Sequence, residues 1–268
     1  MCLILFAYKA HPNYRLVVAA NRDEFYARPT APLGFWEDYT EVLAGRDLAQ
    51  KGTWMGVTAG GRFSAITNFR DPQSIKAQAP SRGQLVSDYL IGKMSPKSYL
   101  EQLAATANRY NGFNLLVGDA DQLCYYSNYG KGIRCLAPGI YGLSNHLLDT
   151  NWPKVARGKK QLTKIIHEND DPSDETLFLM LQDQTAAADE HLPNTGVDLA
   201  WERMLSPIFI TSPEYGTRSS SVLKIDLEGR IKFSERTRMP NSETPQQETT
   251  RCFSVANAIK RSDLIRRR

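Results

Sequence analysis

The chain has 268 residues, 41% hydrophobic and 23% charged, which suits one large globular domain or two small ones with ample material for a core. Its net charge of +4 is carried by its end: six basic residues and one acid lie from Arg251 onward, leaving 27 basic and 28 acidic residues before them. A near-neutral body argues against a nucleic-acid binder, and the longest apolar runs, 3–7 and 16–20, are too short to cross a bilayer.

Residues 2–9 and 14–20 are apolar and rich in β-formers, and His11-Pro12-Asn13 separates them, so a hairpin of two buried strands is expected. Antiparallel pairing about Pro12 sets Cys2 opposite Asn21 or Arg22, beside the polar run Asn21-Arg22-Asp23-Glu24. Alternation sends Asn21 and Asp23 to one face and Arg22 and Glu24 to the other. Strands are expected at 53–59 and 62–68 around Gly60-Gly61, then helices at 82–92, capped by Ser81, and at 96–108, capped by Ser95 with Pro96 following. Further strands are expected at 113–118, 122–127 and 133–143, and a helix from Pro153. Shorter helices follow near 174–182 and 198–204, then strands at 207–212, 220–226, 230–236 and 251–255. Strands first, helices in the middle and strands last suggest antiparallel sheets with helices outside them, an α+β layered domain over residues 1–255. Residues 256–268 are expected to be a disordered basic tail.

Cys2, Cys124, Cys135 and Cys252 form no CxxC pair and have no neighbouring His. Neither a disulfide framework nor a zinc site is expected, and a reducing, cytoplasmic setting fits. A signal peptide would need a basic start and a longer apolar stretch. No phosphate loop, HExxH, GxSxG or dinucleotide fingerprint occurs, so no cofactor or metal is implied.

The chemistry that stands out begins at Cys2. A chain that loses Met1 starts with a thiol and a free α-amine of pKa about 7.7–8.0 on one residue, so the amine can act as base for the thiol. The alternative is a small apolar residue opening a buried strand. Asp23 or Asn21 could accept from the amine, and Arg22 could favour the thiolate. Asn68 ends one strand and Asn145 follows another; an Asn amide is a good donor to a developing oxyanion, or an ordinary turn former. Arg218 precedes an apolar strand.

Together, Met1-Cys2, Asn21-Arg22-Asp23-Glu24, Ala44-Gly45-Arg46-Asp47, Gly52-Thr53-Trp54-Met55-Gly56, Thr67-Asn68-Phe69-Arg70, Ser81-Arg82-Gly83, Gly142-Leu143-Ser144-Asn145 with Trp152-Pro153-Lys154, and Gly216-Thr217-Arg218-Ser219 resemble the NRDE family, which includes the transport and Golgi organisation protein 2 homologues. That family is in turn similar to N-terminal-nucleophile hydrolases of the cysteine branch, such as choloylglycine hydrolases and penicillin V acylases. The resemblance implies an αββα sandwich of two antiparallel sheets with helices outside. It also implies Cys2 as nucleophile and base, Asn145 as side-chain oxyanion donor, Asn68 as a second site residue and Arg218 as the site arginine. The acylases carry an Arg-Asn-x-Asp pattern, whereas Arg22 and Asp23 are adjacent here, so either a bulge realigns them or another pair does the work.

Two functions follow. One is a cysteine amidohydrolase or acyltransferase acting on a non-peptide amide or thioester. The other is a binding or trafficking protein without turnover. Family members are tied to haem mobilisation and to acyl-coenzyme A and lipid homeostasis, which implies a small, hydrophobic, partly anionic ligand. A third possibility is a structural protein in which Cys2 is core.

Overall fold

The computed structural model describes residues 2–238 and 248–256. Strand β1 (Cys2–Tyr8) runs antiparallel to β2 (Tyr14–Phe25), with Cys2 opposite Arg22, as the hairpin arithmetic expects. β1 is buried along its whole length because β2 flanks it on one edge, β10 (Gly139–Leu143) on the other, and both its faces are covered. The polar run Asn21–Glu24 continues β2 rather than ending it, since β11 (Tyr215–Asp226) pairs with β2 from Tyr14 to Phe25.

Two antiparallel sheets result. One has the order β10-β1-β2-β11-β12-β13, with β12 at Ile231–Arg238 and β13 at Glu248–Val255. The other runs in sequence order through β3 (Thr30–Phe35), β4 (Val42–Asp47), β5 (Met55–Thr58), β6 (Phe63–Asn68), β7 (Phe113–Gly118), β8 (Leu123–Ser127) and β9 (Arg134–Cys135). The period-2 alternation of each strand builds two kinds of core. Ile4, Phe6 and Leu223 meet Leu33, Met55 and Leu116 between the sheets. On the outer face of the first sheet, Leu3, Leu5 and Val17 pack on Leu162 and Ile166 of α3 (Pro153–Glu168) and Phe178 of α4 (Asp174–Leu181). On the outer face of the second, Ile66 and Leu115 pack on Leu85 and Tyr89 of α1 (Gly83–Ile91) and Leu100 of α2 (Pro96–Ala104). The fold is therefore a four-layer αββα sandwich, completed by a short α5 (Leu199–Leu205).

Several local expectations are corrected. Residues 133–143 are two strands, β9 and β10, which belong to different sheets; Pro138 lies between them, and it can donate nothing to a ladder. Residues 207–212 form no strand, only an isolated bridge, because Pro207 and Pro213 bracket them and the Phe209 and Ile210 amides bond to Asp183 O and Thr217 Oγ1. Strands β3 and β4 are unforeseen, for their stretch has neither alternation nor a hairpin dipeptide. Ser95 caps α2 by accepting from the Ser98 amide as expected, but α1 begins after Arg82 with no side-chain cap. Cys124 and Cys135 are joined as a disulfide: they are direct cross-strand partners of β8 and β9, which no sequence spacing reveals. The scatter of cysteines therefore loses its force as an argument for a reducing compartment. The expected tail lies outside the described residues, apart from Ala256, and among those described no helix is long and apolar enough to cross a membrane.

Candidate functional site

Register places the site. Cys2 pairs with Arg22, Arg22 with Ser219, Ser219 with Thr237 and Thr237 with Thr249. Directly paired residues share a face, and this row shares the face of Ile4 and Phe6, toward the other sheet. At about 4.8 Å per strand spacing, the row spans roughly 19 Å. It forms one wall of a cavity of about 670 Å³ between the sheets, whose other side includes Trp54, Ile66, Asn68 and Arg82. Among the described residues seven arginines and four carboxylates line it, so it is a charged chamber rather than an apolar slot.

Cys2 is buried, and burial pushes its thiol pKa up; Arg22 and the Asp23 backbone N–H pull the other way without overcoming it. Arg22 therefore does not generate a resting thiolate, and attack by this sulfur needs a base. Behind the cavity wall, Asp23 points to the opposite face of β2, as alternation requires. It is buried, accepts from Thr217 Oγ1 at 2.7 Å, and its carboxyl is pushed up by desolvation but pulled back by the charge of Lys154. Lys154, on the first turn of α3, is only 2% exposed, donates to Leu205 O at 2.9 Å, and is lowered to about 8 by burial. A buried carboxylate and a buried ammonium thus stand behind the first residue of β1.

The adjacency of Arg22 and Asp23 is not realigned by a bulge in β2. The irregularity lies across the ladder: Thr217 pairs with Asp23 and Ser219 with Arg22, leaving Arg218 as an extra residue. A bulge re-aims a side chain, and here Arg218 and Ser219 both line the cavity. The Arg218 guanidinium donates to the Phe25 and Arg28 carbonyls and to Thr30 Oγ1.

Asn68 lines the cavity, whereas Asn145 is fully buried and lies outside the lining. Asn145 Nδ2 donates to Asn68 O at 3.0 Å, its carbonyl accepts from the Arg70 amide at 2.7 Å, and Ser144 Oγ reaches the Cys2 carbonyl at 3.1 Å. Residues 144–145 therefore tie the end of β6 to the start of β1. Asn21 also lies away from the cavity: its amide donates to Leu181 O and Ile208 O, each at 2.9 Å, and its oxygen accepts from Ser220. This is a strut between β2 and the α4 layer. Of the seven residues expected, Cys2, Arg22, Asn68 and Arg218 line the cavity, which Asp23 borders from the other face of β2; Asn21 and Asn145 brace it.

Three further residues belong to the site. Arg82 reaches the cavity because two glycines allow close backbone approach: a Cβ on Gly52 would stand 2.5 Å from the Gly83 carbonyl carbon. Arg82 is half-buried, donates to Gly112 O, and senses the charges of Cys2 and Glu24. Lys154 and Glu235 complete the set; the latter is a buried carboxyl raised by desolvation and accepting from the Leu33 amide at 2.7 Å. Ser81-Arg82-Gly83 and Trp152-Pro153-Lys154 are visible as motifs, but only the fold brings Arg82 and Lys154 to the two sides of β1–β2. Among the described residues no His, Cys, Asp and Glu cluster is arranged to hold a metal.

The family model for Transport and Golgi organisation 2 matches residues 1–240. The Transport and Golgi organization protein 2 homolog of Bos taurus is 35% identical over 95% of this chain and 99% of its own, and the Homo sapiens homolog is 34% identical over 89% and 94%. Among solved structures, a Caenorhabditis elegans N-acylethanolamine-hydrolyzing acid amidase ortholog is similar with a TM-score of 0.47 and 11% identity, covering 83% of this chain and 92% of that one. A mutant conjugated bile acid hydrolase from Clostridium perfringens has a TM-score of 0.47 and 10% identity, over 94% and 92%.

Proposed function

This chain belongs to the Transport and Golgi organisation 2 family, and from its cavity we propose a cysteine N-terminal-nucleophile amidohydrolase or acyltransferase acting on a small amide or thioester. The observation that carries this reading is the position of Cys2. Its thiol opens on a charged cavity of small-molecule size, and a buried Asp23–Lys154 charge pair stands behind its backbone.

With Met1 removed, the Cys2 α-amine takes the thiol proton and the sulfur attacks the substrate carbonyl carbon. The new C–S bond forms, the substrate's C–N or C–S bond breaks, and the ammonium returns the proton to the leaving amine or thiol. Water, or an acceptor amine or thiol, then attacks the acyl–sulfur bond, giving its proton to the amine. Cys2 leaves as the thiol and an acid or transferred acyl product departs. The elevated thiol pKa means that the thiol does not ionise unaided and depends on such a base. Asp23 holds the ammonium, and Asn68, braced by Asn145, presents a donor toward the developing oxyanion.

A carrier for acyl-coenzyme A converges on the same chemistry, since Cys2 can attack a thioester. A haem carrier gains no support from the lining, in which no histidine stands among the described residues; His146 bonds Thr150 Oγ1 and packs against Phe69 and Trp152. Intact mass spectrometry tests the proposal: loss of Met1 is expected, together with acylation of wild type by a thiol-directed acyl probe and none of Cys2→Ser. A retained Met1, or equal labelling of Cys2→Ser, sinks it.

A further inference from the structure

Strand β1 begins opposite Arg22, and Asp23 comes next on β2, so the α-amine of a chain that starts at Cys2 leaves the ladder toward Asp23. Asp23 is 1% exposed and stands on the face of β2 that α3 covers. Val155 of α3 shares a core cluster with Leu3 of β1, and its neighbour Lys154 is 2% exposed. The Lys154 ammonium donates to Leu205 O at 2.9 Å, acts on Asp23, and senses the charges of Asp23 and Cys2 in return. Charged groups face this place from the other elements too. On the cavity side Glu24 lies 3.7 Å from Arg22, and Arg82, at the start of α1, senses the Cys2 thiol. Behind the wall Arg70, after β6, pairs with Glu202 of α5 at 2.7 Å, and both charges reach Lys154. The Tyr215 phenol of β11 stays neutral, pushed up by burial and by the charges of Asp23 and Cys2.

Glu24 and Glu202 each face an arginine already, so an ammonium on Cys2 would compete with Lys154 for Asp23. Two cations drawn out of water beside one carboxylate repel each other, and the weaker base gives up its proton. An α-amine ordinarily titrates at about 7.7–8.0, below the 10.5 of a lysine, so the Cys2 amine is the group that yields. We propose that Lys154, by occupying Asp23 and standing behind it as a cation, keeps the Cys2 α-amine unprotonated and ready to act as the base. This rests on the acyl-transfer reading and names the residue that tunes its base. Lys154 is a positioning residue, acting through the amine and not on the substrate. For the same reason the ammonium formed when the amine takes the thiol proton is acidic enough to return it to the leaving group.

Competitive acetylation of the full-length protein across pH, mapped by peptide mass after hydroxylamine has stripped acetyl groups from thiols, reads the midpoint at which the Cys2 α-amine becomes reactive. The urea-unfolded chain supplies the reference, and the folded wild type should titrate below it. Lys154→Met should raise the folded midpoint by roughly one pH unit, and Lys154→Arg should hold it near wild type. Glu202→Gln, which leaves Arg70 as an added cation, should lower it. A Lys154 that only braced α3 would change the melting temperature and leave the midpoint in place. Equal midpoints in wild type and Lys154→Met overturn the proposal. So does a wild-type midpoint at or above the unfolded reference, a result that needs no variant to fold. Acyl labelling of Cys2 is read alongside: labelling with an unshifted amine refutes the role of Lys154 alone, and a shifted amine with no labelling refutes the acyl-transfer reading alone. A retained Met1 refutes both.

Discussion

Lys154→Met isolates the buried charge pair behind Cys2. Lys154 has an ordinary pKa of 10.5 and is lowered to about 8 in the fold, burial outweighing the attraction of Asp23. At about 1.36 kcal/mol per unit, a gap of about 2.5 units corresponds to roughly 3 kcal/mol. The sign follows from proton counting. A depressed lysine pKa means the folded state sheds its proton first, so the cost of the charge is fully present below about pH 8. It is relieved as pH rises toward 10.5, where the unfolded chain also loses its proton. Urea unfolding of wild type and Lys154→Met across this range should therefore show wild type gaining about 3 kcal/mol relative to the variant. Titrating groups that do not sense Lys154 cancel in the difference. A difference curve that stays flat, or one that falls with pH, refutes the assignment of Lys154 as a buried, costly ammonium.

Two further outcomes are expected. Glu202→Gln leaves Arg70 buried without its partner, since the two side chains are 6% and 4% exposed and meet at 2.7 Å. A loss of about 3 kcal/mol, or a fall in melting temperature of roughly 6–12 °C, is expected by calorimetry, and an unchanged melting temperature refutes it. Because the Arg70 amide bonds Asn145, which holds Asn68, acyl labelling of Cys2 in this variant should also slow. Opening the Cys124–Cys135 bridge, whose cysteines are 11 residues apart, should destabilise by about 3 kcal/mol by loop entropy. Melting with and without reductant, beside intact mass, checks this; identical melting curves for the bridged and reduced chains refute it.

What rests on neighbouring residues and on chain connectivity is legible before any fold is known. A hairpin folded about Pro12 with period-2 alternation puts Cys2 opposite Arg22 and separates Arg22 from Asp23, and both hold because pairing register is local arithmetic. The Ser95 cap is legible for the same reason, as is the layered class. Encounters between distant segments are fixed only once the chain is folded. The extra residue at Arg218 is visible only when β11 is laid on β2, and the separation of 133–143 into two sheets only when both sheets exist. The Cys124–Cys135 bridge needs the β8–β9 register, and Arg82 enters the cavity only through the close approach of Gly52 to Gly83. Asn21 and Asn145 look like site residues along the chain, yet burial turns both into struts. Burial also outweighs the expected effect of Arg22 on the thiol, because desolvation depends on everything packed around a group and not on the residues beside it in sequence.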